Sequence, residues 1–289
     1  MTLPDDPARP AAIAPTHDYR SIYAFALEST GAPWSSCTHE EAIPYLEHPE
    51  LPRNFTEDTV LWRYLTFAKF VALLEHQALH FTRVDRLPDS SIGITNRSGL
   101  NDAPGAATTD TIRLSPEVRR ALGLMRISSH AVFASCWYAG CSELSAPWER
   151  YGGRNSGVAV RSSIGALKAA LNRSTQRIHI ANVLYFDYET TAIPLGNAYL
   201  SALHKHASFM QEREVRALLL QVGDKSKVFS PGPEQGIDVD VDIGKLIEEV
   251  RMAPKSDPWF YSLVAAVSQR YGATWPVLPA NTPELYPPE

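Results

Sequence analysis

The chain has 289 residues, 44% hydrophobic and 20% charged, a balance typical of a globular protein with a full hydrophobic core. The formal net charge of −5 excludes a general basic surface for nucleic acid, although a local basic patch stays compatible with it. Only three cysteines, no apolar run of membrane-spanning length and no signal peptide together predict a cytoplasmic protein without disulfides or membrane contact.

The first fifty residues differ in character from the rest of the chain. Residues 1–16 contain four prolines, which predicts an extended arm. Apolar positions at helical spacing over residues 18–29 and a capping box that begins at Thr38 predict two short helices. We therefore predict an N-terminal arm and helical extension over residues 1–50, followed by a single domain over residues 51–289.

The predicted domain begins with a β-type run at residues 59–64. Thr66 then has the character of a helix N-cap, and the apolar positions after it repeat at helical spacing. A second strand is predicted at residues 78–84. Residues 88–111 are mostly small and polar, which is typical of a long binding loop.

The rest of the domain mixes strands and helices without regular alternation, and this pattern favours an α+β fold. The predicted strands lie at 131–137, 158–160, 178–185 and 273–275, and the predicted helices at 163–171, 195–210 and 257–271.

Two glutamates, Glu212 and Glu214, lie where the predicted helix over residues 195–210 leads into an apolar strand. At i, i+2 spacing on a strand, both carboxylates point to the same side. Facing a pocket, such a pair stabilises positive charge, binds a sugar hydroxyl or acts as a base. The alternative is a set of surface salt bridges with neighbouring basic residues such as Lys205 or Arg216.

Several short motifs resemble the bacterial domain-of-unknown-function family 2971 (DUF2971), over about residues 58–280. The motifs are LWRY at 61–64, LHF at 79–81, SCW at 135–137, WERY at 148–151, GVAV at 157–160, the run from Lys205 to EREVR at 212–216, and LIEEV at 246–250 with Pro254. This resemblance implies no activity.

A second resemblance does imply an activity. ADP-ribosyltransferases of the arginine-serine-glutamate class carry an arginine on the first strand, a serine on a middle strand and Glu-x-Glu before a late strand. Arg63, Ser135, Glu212 and Glu214 occur here in that order, although Cys136 follows the serine where the class has Thr-Ser. The resemblance implies a mixed, mainly antiparallel split sheet with flanking helices.

The resemblance also implies NAD as the cofactor and a role for each matched residue. Cleavage at the nicotinamide ribose passes through an oxocarbenium-like species, which a fixed carboxylate, Glu214, would stabilise. Glu212 would orient or deprotonate the acceptor, and Arg63 would bind the pyrophosphate or adjacent ribose. Ser135 would support the glutamate or the ribose.

Three aromatic residues, Tyr64, Trp148 and Tyr151, are candidates for stacking on nicotinamide. The alternative is that Trp148 and Tyr151, at helical i, i+3 spacing, are buried in the hydrophobic core. No metal site is predicted, because the spacing of the cysteines and histidines is irregular.

The leading hypothesis is therefore an NAD-dependent ADP-ribosyltransferase, as a toxin or antiphage effector, that modifies a protein or a nucleic acid. An inhibitor or immunity protein is a further expected partner. The first alternative is a non-catalytic module that binds a nucleotide or peptide. The second is a metal-dependent nuclease with Glu212, Glu214 and Asp187 as its acids.

Overall fold

The computed structural model describes residues 53–87, 129–141, 147–148, 155–186, 199, 202–221 and 235–280. The extension predicted over 1–50 and the loop predicted over 88–111 lie outside these residues, so the domain boundary stays a prediction. No helix in the described ranges is long and apolar enough to cross a membrane.

Within the described residues, the chain forms eleven strands and four helices. The strands are β1 (Val60–Thr66), β2 (Ala78–Arg83), β3 (Val132–Ala139), β4 (Gly157–Ser163), β5 (Ile178–Asn182), β6 (Leu184–Phe186), β7 (His204–His206), β8 (Glu214–Leu220), β9 (Ile237–Asp240), β10 (Glu249–Met252) and β11 (Val277–Pro279). The helices are α1 (Phe67–His76), α2 (Ile164–Leu171), α3 (Ile243–Leu246) and α4 (Pro258–Arg270), with 3₁₀ turns at Val84–Arg86 and Ala207–Glu212.

Nine strands form one sheet, and nearly all of its pairings are antiparallel. The order is β11-β10-β4-β1-β3-β2-β9, with β8 also on β3 and β5 on β8; only β10 and β11 pair in parallel. The remaining two strands, β6 and β7, form a small parallel sheet. The predicted α+β fold with a mixed, mainly antiparallel sheet is confirmed.

The sheet splits at β3. Strand β8 runs along one edge of β3 from Val132 to Tyr138, so β1 and β2 must share the opposite edge. Strand β1 pairs there with Tyr138 and Ala139, whereas β2 pairs with Phe133 and Ala134. Among the strands described, none covers residues 135–137 on that edge, and a gap opens between β1 and β2.

Local side-chain caps begin the two helices next to β1 and β4. The Thr66 hydroxyl accepts a hydrogen bond from the backbone nitrogen of Lys69, and Ser163 does the same for Ala166. Both caps lie where the sequence predicts a helix start. Each such cap stabilises its helix by about 1 kcal/mol.

The main hydrophobic core lies between one face of the sheet and the helices. It includes Leu61 and Trp137 from the sheet and Phe70, Leu167 and Phe260 from α1, α2 and α4. Burying a side chain of this size contributes about 1.5–3 kcal/mol. Strands β1 and β2, on either side of the gap, both contribute side chains to this core.

The prediction of a helix over residues 195–210 is wrong at the C-terminal end of that range, which the structure describes from residue 202. His204–His206 is strand β7, paired in parallel with Leu184–Phe186, and a 3₁₀ turn follows. The polar run has helical character, but pairing with a strand 20 residues earlier overrides that local preference. The strand predicted at 273–275 is also wrong, since the last strand is Val277–Pro279.

Candidate functional site

A cavity of about 700 Å³ lies at the split in the sheet. Its walls come from both sides of the gap, with β1 and α1 on one side and β2, β3, β7, β8 and β9 on the other. The polar side chains that line it are Arg63, Tyr64, Lys69, His76, His80, Thr82, Arg86, Cys136, Tyr138, Lys205, Glu214, Arg216 and Asp238. This volume is in the range of small-molecule sites.

Arg63 bridges the gap between the strands. Its Nη1 donates to the Ser135 hydroxyl on β3, and its Nη2 donates to the His80 carbonyl oxygen on β2 at 2.9 Å. The guanidinium also lies 5.6 Å from the ring centre of Trp137. Burial lowers the pKa of Arg63 to about 10, so the side chain stays protonated near neutral pH.

Ser135 lies behind Arg63 and not on the cavity wall. Its hydroxyl is fully buried and also accepts a hydrogen bond from Trp137 Nε1 at 3.2 Å. The structure therefore brings Arg63 and Ser135 together. On β3, Ser135 and its neighbour Cys136 point to opposite faces, so Ser135 contacts the arginine and Cys136 faces the glutamate.

Of the three aromatic candidates, Tyr64 lines the cavity. Trp148 is buried behind it, with ring centres 4.9 Å apart in an edge-to-face arrangement. Tyr151 lies outside the described residues. Tyr138, which the sequence did not single out, also lines the cavity and packs edge-on against Tyr64.

Glu214 lies on the cavity wall as part of a buried ionic cluster and is only 3% exposed. Arg216 donates to both carboxylate oxygens, from Nε at 2.8 Å and from Nη2 at 3.0 Å. Lys205 Nζ donates to Oε2 at 3.3 Å. Burial alone would raise the pKa of Glu214, but Arg216 and then Lys205 lower it to about 2. The carboxylate is therefore ionised at neutral pH.

Glu212 contacts the other side of Lys205, whose Nζ donates to Glu212 Oε2. Between the two glutamates, Arg213 adopts a left-handed conformation with φ of 44°. This turn carries the chain from the 3₁₀ turn into β8 and lets both carboxylates face one lysine. Glu212 is not among the residues that line the cavity.

Cys136 lies opposite Arg216 across β3 and β8, on the face of the sheet that carries Glu214. Burial, followed by the nearby negative charge of Glu214, raises the pKa of Cys136 to about 12. The thiol is therefore neutral. Cys136 also lines the cavity.

The cavity has an excess of positive charge, which the overall acidic composition conceals. Five cationic side chains line it against two carboxylates, Glu214 and Asp238; the cations are Arg63, Lys69, Arg86, Lys205 and Arg216. Sequence reasoning named Arg216 only as a candidate salt-bridge partner of the glutamates, and it missed His80 and Asp238 as cavity residues. The alternation of side chains along β8 places Arg216 beside Glu214, because residues 214 and 216 share a face.

Within the described ranges, no group of three or more histidine, cysteine, aspartate or glutamate side chains is placed to hold a metal ion. Asp187, one of the acids of the nuclease alternative, lies outside those ranges.

The comparisons with known proteins find one distant likeness. No family model and no curated protein matches the chain, so the resemblance to family 2971 stays a prediction from motifs. The chain is similar to the solved structure of Thermus sp. 2.9 DarT in complex with ADP-ribosylated ssDNA. The identity is 11% and the TM-score 0.36, over 80% of this chain and 98% of that chain.

Proposed function

We propose that this chain is an NAD-dependent ADP-ribosyltransferase. The observation that carries the proposal is that Arg63 and Glu214 line one cavity at the split of the sheet. The first is a partly buried guanidinium that stays protonated, and the second is a buried carboxylate that stays ionised. A reaction that holds an anion and develops a cation next to it needs both charges.

The excess positive charge of the cavity supports binding of a pyrophosphate. A guanidinium matches phosphate oxygens with two parallel hydrogen bonds, and Arg63 is held in place by Ser135 and the His80 carbonyl. A fixed cation binds an anion without losing side-chain entropy. Tyr64 and Tyr138 offer aromatic surface for the nicotinamide or the adenine.

The chemical step in this proposal breaks the bond between C1′ of the ribose and the nicotinamide nitrogen. Positive charge develops on the ribose, and nicotinamide leaves with the bonding electrons. Glu214 would stabilise that charge from a position fixed by Arg216 and Lys205. The acceptor would be a protein or a nucleic acid. A toxin or antiphage effector, opposed by an inhibitor or immunity partner, is the cellular setting that this activity would fit.

The test measures nicotinamide release from NAD by the purified full chain and by Arg63→Gln. We expect the variant to lose about 100-fold or more in rate, since a preorganised charge is worth this much in a buried site. Arg161→Gln is the matched control, because Arg161 is a strand arginine paired with Glu248 and does not line the cavity. Equal rates in the two variants would contradict the assignment of Arg63.

One observation favours a second candidate function, a non-catalytic module that binds an anionic nucleotide. Arg216 engages both oxygens of Glu214, and Lys205 adds a third hydrogen bond, so the charge of the carboxylate is largely neutralised. Calorimetry with NAD and with inorganic pyrophosphate separates the two functions. Binding of both without nicotinamide release in the wild-type protein would support the module.

A further inference from the structure

His80 and Asp238 form a pair on the cavity wall that the proposed cleavage of NAD does not use. They lie directly opposite each other on β2 and β9, and Nδ1 of the histidine is 2.8 Å from Oδ1 of the aspartate. Both residues line the cavity, and both side chains keep substantial exposure, 48% and 61%. The pair is therefore accessible to a second substrate that enters the cavity.

The geometry determines which ring nitrogen can take up a proton. A carboxylate only accepts hydrogen bonds, so Nδ1 of His80 must donate to Asp238, and the neutral ring carries its lone pair on Nε2. The Nε2–Cε1 edge lies beside Gly236. A Cβ atom at residue 236 would come within 2.6 Å of Nε2, so only a glycine fits at this position beside the ring.

His80 is also linked to the residue that would bind the pyrophosphate. Its carbonyl oxygen accepts the 2.9 Å hydrogen bond from Arg63 Nη2. Glu212, the base expected from the sequence, is paired with Lys205 and is not a cavity-lining residue. Of these two candidate bases, only His80 lines the cavity.

We propose that His80, oriented by Asp238, is the general base that deprotonates the acceptor. This inference rests on the proposed ADP-ribosyl transfer. As the C1′–N bond of NAD breaks, the acceptor atom forms its bond to C1′ and its proton passes to Nε2 of His80. Nicotinamide leaves as a neutral molecule, and His80 later releases the proton to solvent. The step therefore needs no oxidant or reductant.

The test measures two products of the same reaction, with NAD labelled on its adenylate phosphate and a bacterial lysate as the acceptor source. One half of the lysate is treated with nuclease and the other with protease. Label in the nuclease-treated half identifies a protein acceptor, and label in the protease-treated half identifies a nucleic acid. The variants are His80→Gln and Asp238→Asn. The matched control is His130→Gln, because His130 also lies near a carboxylate, Asp85 at 3.6 Å, but does not line the cavity.

We expect His80→Gln to lower label transfer about 100-fold or more, the usual contribution of a general base. Nicotinamide release to water and the KM for NAD should stay within about threefold of wild type. The substitution keeps the backbone carbonyl that holds Arg63, and water attacking an open oxocarbenium can lose its proton to solvent. Asp238→Asn should lower transfer less than His80→Gln while keeping release. His130→Gln should change neither.

Transfer at the wild-type rate in His80→Gln would overturn the assignment. Parallel loss of transfer and release in a variant with an unchanged melting temperature would also overturn it, since His80 would then act on NAD or on Arg63. Absence of nicotinamide release in wild type would overturn the proposed function itself, and this inference with it. The first two outcomes leave ADP-ribosyl transfer standing.

Discussion

Arg216 holds the Glu214 carboxylate with two hydrogen bonds, of 2.8 and 3.0 Å, inside a protein interior where neither residue is more than 3% exposed. Such a pair stabilises a fold less than its short distances suggest, because both charges lose their hydration. Removing one partner is far more costly, since the other charge stays buried alone. Both residues lie on β8 and both line the cavity, so loss of either charge should destabilise the strand that carries the site.

Glu214→Gln should therefore destabilise the protein. We expect a loss of about 3–5 kcal/mol in the free energy of unfolding, because Arg216 loses its buried counter-charge. Urea denaturation at pH 7 measures it. The double variant Glu214→Gln, Arg216→Met should recover part of the loss, and a single variant as stable as wild type would show that the cluster is open to solvent.

Stability should also fall in acid because of this glutamate. The pKa of Glu214 is about 2 in the folded protein, against an ordinary value of 4.5. A depressed pKa contributes stability above pH 4.5, and that stability is lost as pH falls from about 4.5 toward 2. The contribution is about 3 kcal/mol. Urea midpoints measured from pH 7 to pH 3 should fall less steeply in Glu214→Gln than in wild type.

Gly236 should tolerate alanine worse than Gly272 does. Both glycines have positive φ, 94° and 75°, so each substitution strains the backbone by about 1–2 kcal/mol. Only at Gly236 would the new Cβ collide with a backbone atom, the Phe81 carbonyl oxygen at 2.5 Å, whereas Gly272 has open space. We expect the free energy of unfolding, measured by urea denaturation, to fall by at least about 1 kcal/mol more in Gly236→Ala than in Gly272→Ala. Equal losses would mean that the turn before β9 relaxes.

Cys136 should react slowly with alkylating reagents. Burial and the nearby Glu214 raise its pKa to about 12, whereas Cys141 is exposed. Since the thiolate is the nucleophile, iodoacetamide at pH 8 should modify Cys141 at least about 100-fold faster. Peptide mapping by mass spectrometry over a time course measures both rates. Comparable rates would show that the face of β3 beside Glu214 opens in solution.

The sequence alone determined the elements whose signals are local. The caps at Thr66 and Ser163 were predictable because a hydroxyl three residues before a backbone nitrogen is a contact within one turn of chain. The strand that begins at Glu214 was likewise predictable from its apolar run. The α+β class was predictable from the irregular order of such strands and helices. The same reasoning failed at His204–His206, where the partner strand lies elsewhere in the chain.

Which candidate residues lie together depends on the tertiary fold. Arg63 contacts Ser135 across 72 residues, and His80 meets Asp238 across 158, through the register of β1, β2, β3 and β9. The tertiary structure also places Ser135 behind Arg63 and pairs Glu212 with Lys205. The physical reason is that strand register is settled by the packing of the whole sheet against its core, and a shift of one residue would turn every one of these side chains to the other face.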